Sequence, residues 1–131
     1  MTWIAPATEG TLDGVWRNEL GSQLRLFVEP DGSLVGTYES AVGGTRQQQP
    51  VTGSSGVRAP DGEVVLGFVV RWPGAGSLAA WAGTFDHRAD RIHASWLLVE
   101  GCQAADAWGS TRTGVDEFRR EPPGGGHRPA A

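Results

Sequence analysis

Residues 23–40 read QLRLFVEPDGSLVGTYES. Two short runs rich in Leu, Val, Thr and aromatic residues, Gln23 to Glu29 and Leu34 to Ser40, flank Pro30-Asp31-Gly32. Proline presets the backbone angle that opens a turn and glycine accepts a positive φ, so this spacing predicts a β-hairpin. The same pattern extends in both directions. Pro60-Asp61-Gly62 precedes a run from Val64 to Trp72, and further runs lie near Gly14 to Asn18, Val51 to Ser54, Ala79 to Asp86, Arg91 to Val99 and Gly109 to Arg119. About eight strands with consecutive antiparallel pairing are expected. No segment sustains apolar residues at helical spacing, although Ala104 to Trp108 has room for one helical turn. A meander of this size can close into an up-and-down barrel, which removes exposed edges and leaves a cavity wide enough for one small ligand. An open two-sheet sandwich is the alternative.

Length and composition agree with an all-β domain. The chain of 131 residues is one domain by size and long enough to bury a core without metal or disulfide support. Its 20 glycines and 8 prolines are scattered, as turns between short strands require. A formal net charge of -4 supplies no broad positive field, so no nucleic-acid partner is expected. No stretch reaches the roughly 18 apolar residues of a membrane span, so no membrane partner is expected either. The single Cys102 cannot form an intrachain disulfide, and it leaves the redox compartment open. The start, Met1 to Pro6, shows no basic segment followed by an apolar one, so no secretion signal is visible. Residues 1–11 are expected to be a flexible N-terminus, residues 12–120 the barrel domain, and residues 121–131 a flexible Pro/Gly-rich tail.

Side chains along a strand alternate between its two faces, so residues of equal parity share a face. Trp16 then goes with Asn18, Tyr38 with Ser40, Phe68 with Val70 and Trp72, and Trp96 with Leu98. Arg17, Thr37, Glu39, Arg71 and Ser95 fall on the opposite, solvent-facing side. Each tryptophan alone reads as a large core residue, and Asn18 or Ser22 alone as a turn residue. Together they describe an interior mixing tryptophans with Asn, Tyr and Ser, in which each buried polar group needs a partner or costs about 1–3 kcal/mol. A ligand with polar groups would meet them. Catalytic readings find little support. His87, His93 and His127 are not at metal-ligand spacing with Cys102 or one another, so no metal is expected. No Ser sits in a nucleophile-elbow pattern, and no Gly-rich segment links a strand to a helix.

Gly14-Val15-Trp16-Arg17-Asn18-Glu19-Leu20-Gly21-Ser22 resembles the first-strand motif of the avidin and streptavidin family of biotin-binding proteins. Gly36-Thr37-Tyr38-Glu39-Ser40-Ala41-Val42-Gly43 is similar to the third strand and the start of the ligand-covering loop. Trp72, Trp81, Trp96-Leu97-Leu98, Ala107-Trp108 and Gly114-Val115-Asp116 continue the resemblance in the family's order, over about residues 12–119. It implies an eight-stranded, streptavidin-like barrel that holds biotin without catalysis and with no cofactor, and a secreted homotetramer that sequesters the vitamin. The ureido oxygen would be met by the Asn18 amide and the Ser22 and Tyr38 hydroxyls, and the ureido N–H groups by Asp116 and Ser40. Trp72, Trp81 and Trp96 would box the ring, with Trp108 contributed by a neighbouring subunit. The carboxylate end would meet Gly44 and Ser77, and Leu20, Val42, Ala79 and Leu98 would complete the lining.

Departures from the family pattern are visible too. Ala79 stands where the family usually carries a threonine directed at the biotin sulfur, so that polar contact is missing. The connection from Pro73 to Ser77 is short, and Phe68 replaces a tryptophan. Two other readings stay open on residue chemistry: a lipocalin-like carrier of an apolar ligand, and a carbohydrate-binding module with an exposed tryptophan platform. A lipid would leave Asn18, Ser22, Tyr38, Ser40 and Asp116 unpaired. A platform would need its tryptophans on the outer face.

Overall fold

The computed structural model describes residues 11–41, 47–58, 63–101 and 111–122. Eight strands follow one another: β1 (Gly14–Arg17), β2 (Gln23–Val28), β3 (Ser33–Glu39), β4 (Gln48–Arg58), β5 (Val64–Trp72), β6 (Ser77–Asp86), β7 (Arg91–Glu100) and β8 (Thr111–Arg120). Each pairs antiparallel with the next, and β8 returns to β1, so the sheet is a closed up-and-down barrel and not an open sandwich. Closure gives each of these eight strands a partner on both sides.

The hairpin of residues 23–40 forms as its turn chemistry requires. The Glu29 N–H donates to the Ser33 carbonyl at 2.8 Å, the Gly32 N–H to the Glu29 carbonyl at 2.8 Å, and the Asp31 carboxylate accepts from the Ser33 N–H at 2.9 Å. Gly32 has φ 92°, and a side chain there would also run into the Ser55 carbonyl on β4. Glycine is therefore needed twice over.

Strand β4 is longer than the Val51 to Ser54 core expected for it, because it accommodates Pro50, Gly53 and Gly56, residues that ordinarily weaken a strand. Its pairing with β3 runs from Gln48 to Ser54, whereas the ladder with β5 begins only at Val51. Pro50 thus lies where β4 has a single neighbour, the place in a sheet where a missing N–H is tolerated. A register shift between Ser55 and Val57, around Gly56 with φ 124°, bends the strand at its other end. Strand β6 begins at Ser77, two residues earlier than Ala79, because the connection from β5 is a single 3₁₀ turn at Pro73–Ala75 ended by the left-handed Gly76. The Pro60-Asp61-Gly62 turn, the Ala104 to Trp108 segment and the first two residues of the run at Gly109 lie outside the described residues.

Alternation divides the wall as expected. Trp16, Leu24, Leu26, Leu34, Val51, Leu66, Phe68, Val70, Phe85, Ile92 and Phe118 are buried inside, while Arg17, Arg71 and Ser95 are exposed outside. At the end of the barrel where β1 begins, the interior is solid. Trp16 meets Phe85 edge to face at 5.7 Å, and its indole N–H donates to the Leu12 carbonyl at 3.0 Å. The β1–β8 seam is only two residue pairs long. Arg120 reinforces it: its guanidinium stacks 4.4 Å from the Trp16 ring, donates two hydrogen bonds to the Asp90 carboxylate at 2.7 and 3.0 Å, and donates to the carbonyls of Asp13 and Thr11. One side chain from the last strand thereby ties down the segment that leads into the first.

Candidate ligand-binding site

At the other end the same strands enclose a cavity of about 470 Å³, within the range of small-molecule sites. Of the residues expected at a ligand site, Asn18, Leu20, Ser22, Tyr38, Ser40, Trp72, Ser77, Ala79, Trp81, Trp96, Leu98 and Asp116 all line it. Val42, Gly44 and the inter-subunit candidate Trp108 lie outside the described residues. Gln47 and Gly74 also line the cavity, and sequence reasoning missed both. Gln47 precedes β4 and Gly74 belongs to the 3₁₀ turn, so neither carries a strand parity that points inward. The inward face of β6 narrows toward this end, where Ala79 lines the cavity, whereas Phe85 fills the interior at the opposite end of the same strand.

The polar groups are aimed by the backbone around them. Asn18 follows β1 in a tight turn, where its Oδ1 accepts the N–H groups of Leu20 at 3.1 Å and Ser22 at 2.9 Å. With the oxygen committed to the main chain, the amide must present its NH₂ group on the other side. Ser22 is 2% exposed, and its Oγ accepts the Ala41 N–H at 2.9 Å, which leaves its own hydrogen to donate. Both side chains lie close enough to act on the Tyr38 phenol. Burial raises the Tyr38 phenol above the ordinary tyrosine value; Ser22 and Asn18 oppose this shift and the Asp116 charge reinforces it. The phenol therefore keeps its proton at neutral pH. Three donors, two from the β1–β2 turn and one from β3, converge on one end of the cavity.

Asp116, on β8, is 8% exposed and accepts the Trp81 indole N–H at 2.9 Å. A charged acceptor makes that bond strong, and a carboxylate has further lone pairs to offer a ligand. Trp81 and Asp116 stand two strands apart, and between them lies Ala94, paired with Asp116 on one side and with Gly83 on the other. Small residues at this level let the indole cross the gap. Trp81 also stacks on Phe68 at 4.9 Å with 15° between planes, and Tyr38 lies 5.1 Å from Trp81 and 6.0 Å from Trp72. Phe68 is a core residue that braces a cavity wall. Among the described residues no group of three His, Cys, Asp or Glu side chains is arranged to hold a metal ion.

The fold and this site define a class: a barrel that holds one small ligand between convergent donors and a wall of tryptophans. The family model described as the Avidin family matches residues 6–121. Among solved structures, the one titled "Crystal structure of Xenavidin" superposes with a TM-score of 0.75 at 30% sequence identity, covering 87% of this chain and 100% of that one. The chain belongs to the avidin family, a family of non-catalytic biotin binders.

Proposed function

We propose that this chain binds biotin, tightly and without chemical change, in the cavity at the open end of its barrel. The observation that carries this reading is the pairing of three donors, Asn18, Ser22 and Tyr38, with an anionic acceptor, Asp116, across one enclosed space. A ureido group presents one oxygen and two N–H groups, and such a divided set of partners matches it. Preorganised donors in a water-poor site polarise the ligand oxygen, which in turn makes its N–H groups better donors to Asp116 and Ser40. Trp72, Trp81 and Trp96 enclose the apolar rings, and Ser77, together with Gly44, takes the carboxylate. No cofactor is required. The biological role that follows is sequestration of the vitamin outside the cell, by a secreted protein.

Calorimetric titration with biotin, beside a fatty acid and an oligosaccharide, tests the ligand. Tight one-to-one binding of biotin per chain is expected. Heat from the fatty acid alone would move the reading to a lipocalin-like carrier.

The second part of the proposal is a homo-oligomer, with a tetramer favoured, in which Trp108 of each chain covers the biotin of a neighbour. Its support is the outer wall of β6 to β8, where Leu78, Leu97, Val99 and Val115 are 39–65% exposed and where Leu97 and Val115 line a shallow concavity with Ala80, Ala82 and Ser95. An apolar face of this kind on a soluble protein fits a protein contact. Solution mass and biotin release for Trp108→Ala beside the parent decide it: a multimeric parent and faster release in the variant are expected. A monomeric parent, or unaltered release, would remove the shared lid and leave the cavity reading in place.

A further inference from the structure

Gly114, Asp116 and Phe118 follow one another on the inner face of β8. Asp116 and Phe118 are buried side chains, and the first position has none. Its cross-strand partner on β7 is Trp96, which lines the ligand cavity. A Cβ built on Gly114 would lie 2.9 Å from the Trp96 Nε1, 2.5 Å from its Cε2 and nearer still to its Cζ2. The indole therefore lies across the bare backbone of β8.

Other inward glycines have a different cause. A side chain on Gly36, Gly53 or Gly83 would collide with the main chain of the adjacent strand, at the carbonyls of Arg25, Gly67 and His93. Those glycines serve the close approach of strands in a coiled barrel. At Gly114 the three nearest atoms all belong to the Trp96 ring, and the backbone is not in the left-handed region. φ does not call for glycine there, and the closest obstacle is the indole.

We infer that Gly114 is a positioning residue for the ligand site: its missing side chain is the seat of Trp96, and it sets how far that ring stands out into the cavity. A side chain at 114 would displace the ring from its seat on β8, beside the space a ligand would occupy. The part of this inference that concerns biotin rests on the function proposed above; the part that concerns Trp96 does not.

A double-mutant cycle of the parent, Gly114→Ala, Trp96→Leu and the double variant tests it, with two readouts. The first is the near-ultraviolet circular dichroism of the ligand-free protein, which reports tryptophan packing. Gly114→Ala should change it, whereas adding Gly114→Ala to Trp96→Leu should leave it as in Trp96→Leu alone. The second is biotin affinity. Gly114→Ala should lower it about ten-fold or more in the parent and far less in the Trp96→Leu background, a coupling of the size seen between residues in contact. Equal effects in both backgrounds, or an unchanged spectrum for Gly114→Ala, would overturn the assignment. If Gly114→Ala fails to fold, folding regained with Trp96→Leu supports it and failure of both variants overturns it. A parent that ignores biotin sinks the proposed function, while the spectroscopic cycle still decides the role of Gly114.

Discussion

The two ends of the barrel are built by the same eight strands and do opposite things with their interiors. Near the start of β1, the inward positions carry Trp16, Leu26, Phe85, Ile92 and Phe118, each no more than 1% exposed, and Arg120 seals them from outside. At the far end the inward positions carry Ala79, Gly114, Asn18, Tyr38 and Asp116, and a cavity takes the place of a core. Polarity follows the same division. The closed end is capped by the Arg120–Asp90 pair, while the cavity at the open end is lined by amides, hydroxyls and a carboxylate. One end supplies stability, which the other spends in holding polar groups and empty space ready for a ligand.

The largest expected effect lies at the closed end. Trp16→Ala removes the largest of the fully buried side chains described, together with the surface under Arg120, and should cost about 3–5 kcal/mol of folding free energy. Denaturant unfolding measures it, and a loss below the range of ordinary surface changes would break the division between the ends.

Asp116→Ala comes next and should act in the other currency. It removes the acceptor of Trp81 and of a ligand N–H, so biotin binding should weaken by roughly 1.5–3 kcal/mol. Titration calorimetry checks this, with thermal unfolding of the ligand-free variant beside it. A variant that binds as the parent does would take Asp116 out of the site.

Tyr38→Phe sharpens the comparison with a smaller loss, about 0.5–1.5 kcal/mol of binding for one ligand hydrogen bond. It also changes the alkaline behaviour of the fold. The folded phenol titrates above its unfolded value, so the unfolded chain releases this proton first. Stability attributable to Tyr38 is fully present below about pH 10 and falls as pH rises through the raised folded value. Unfolding followed from neutral to alkaline pH should show this component in the parent and not in Tyr38→Phe; identical profiles would mean the phenol is not held as described.

The smallest effect is expected from Ala79→Thr, which places a hydroxyl at the cavity wall where a biotin sulfur would lie. Release should slow by a few-fold, within the range of roughly 0.5–1 kcal/mol that one weak polar contact contributes. Faster release would mean that the methyl-sized gap at Ala79 is needed for the ligand itself.

How much of this was legible beforehand depends on how local each feature is. The hairpin at residues 23–40, the inward parity of Trp16, Tyr38, Trp96 and Asn18, and the polar character of the cavity follow from alternation and turn chemistry, which a sequence carries within a few residues. The extent of β4 was not legible, because Pro50 reads as a strand end unless its second neighbour is known to start one residue later. Gln47 and Gly74 lie outside strands, where no periodicity assigns a face. The Asn18 amide presents its donor side only because the turn behind it uses the oxygen, a matter of hydrogen bonds at separations of two and four residues. Gly114 could be seen as a glycine in a strand, but not as the seat of Trp96. Which side chains meet across strands is set by register and closure, and these bring together residues 18 positions apart at Trp96 and Gly114 and 104 apart where Trp16 meets Arg120. Alternation determines the side of the wall on which a residue stands; only the closed barrel determines what stands opposite it.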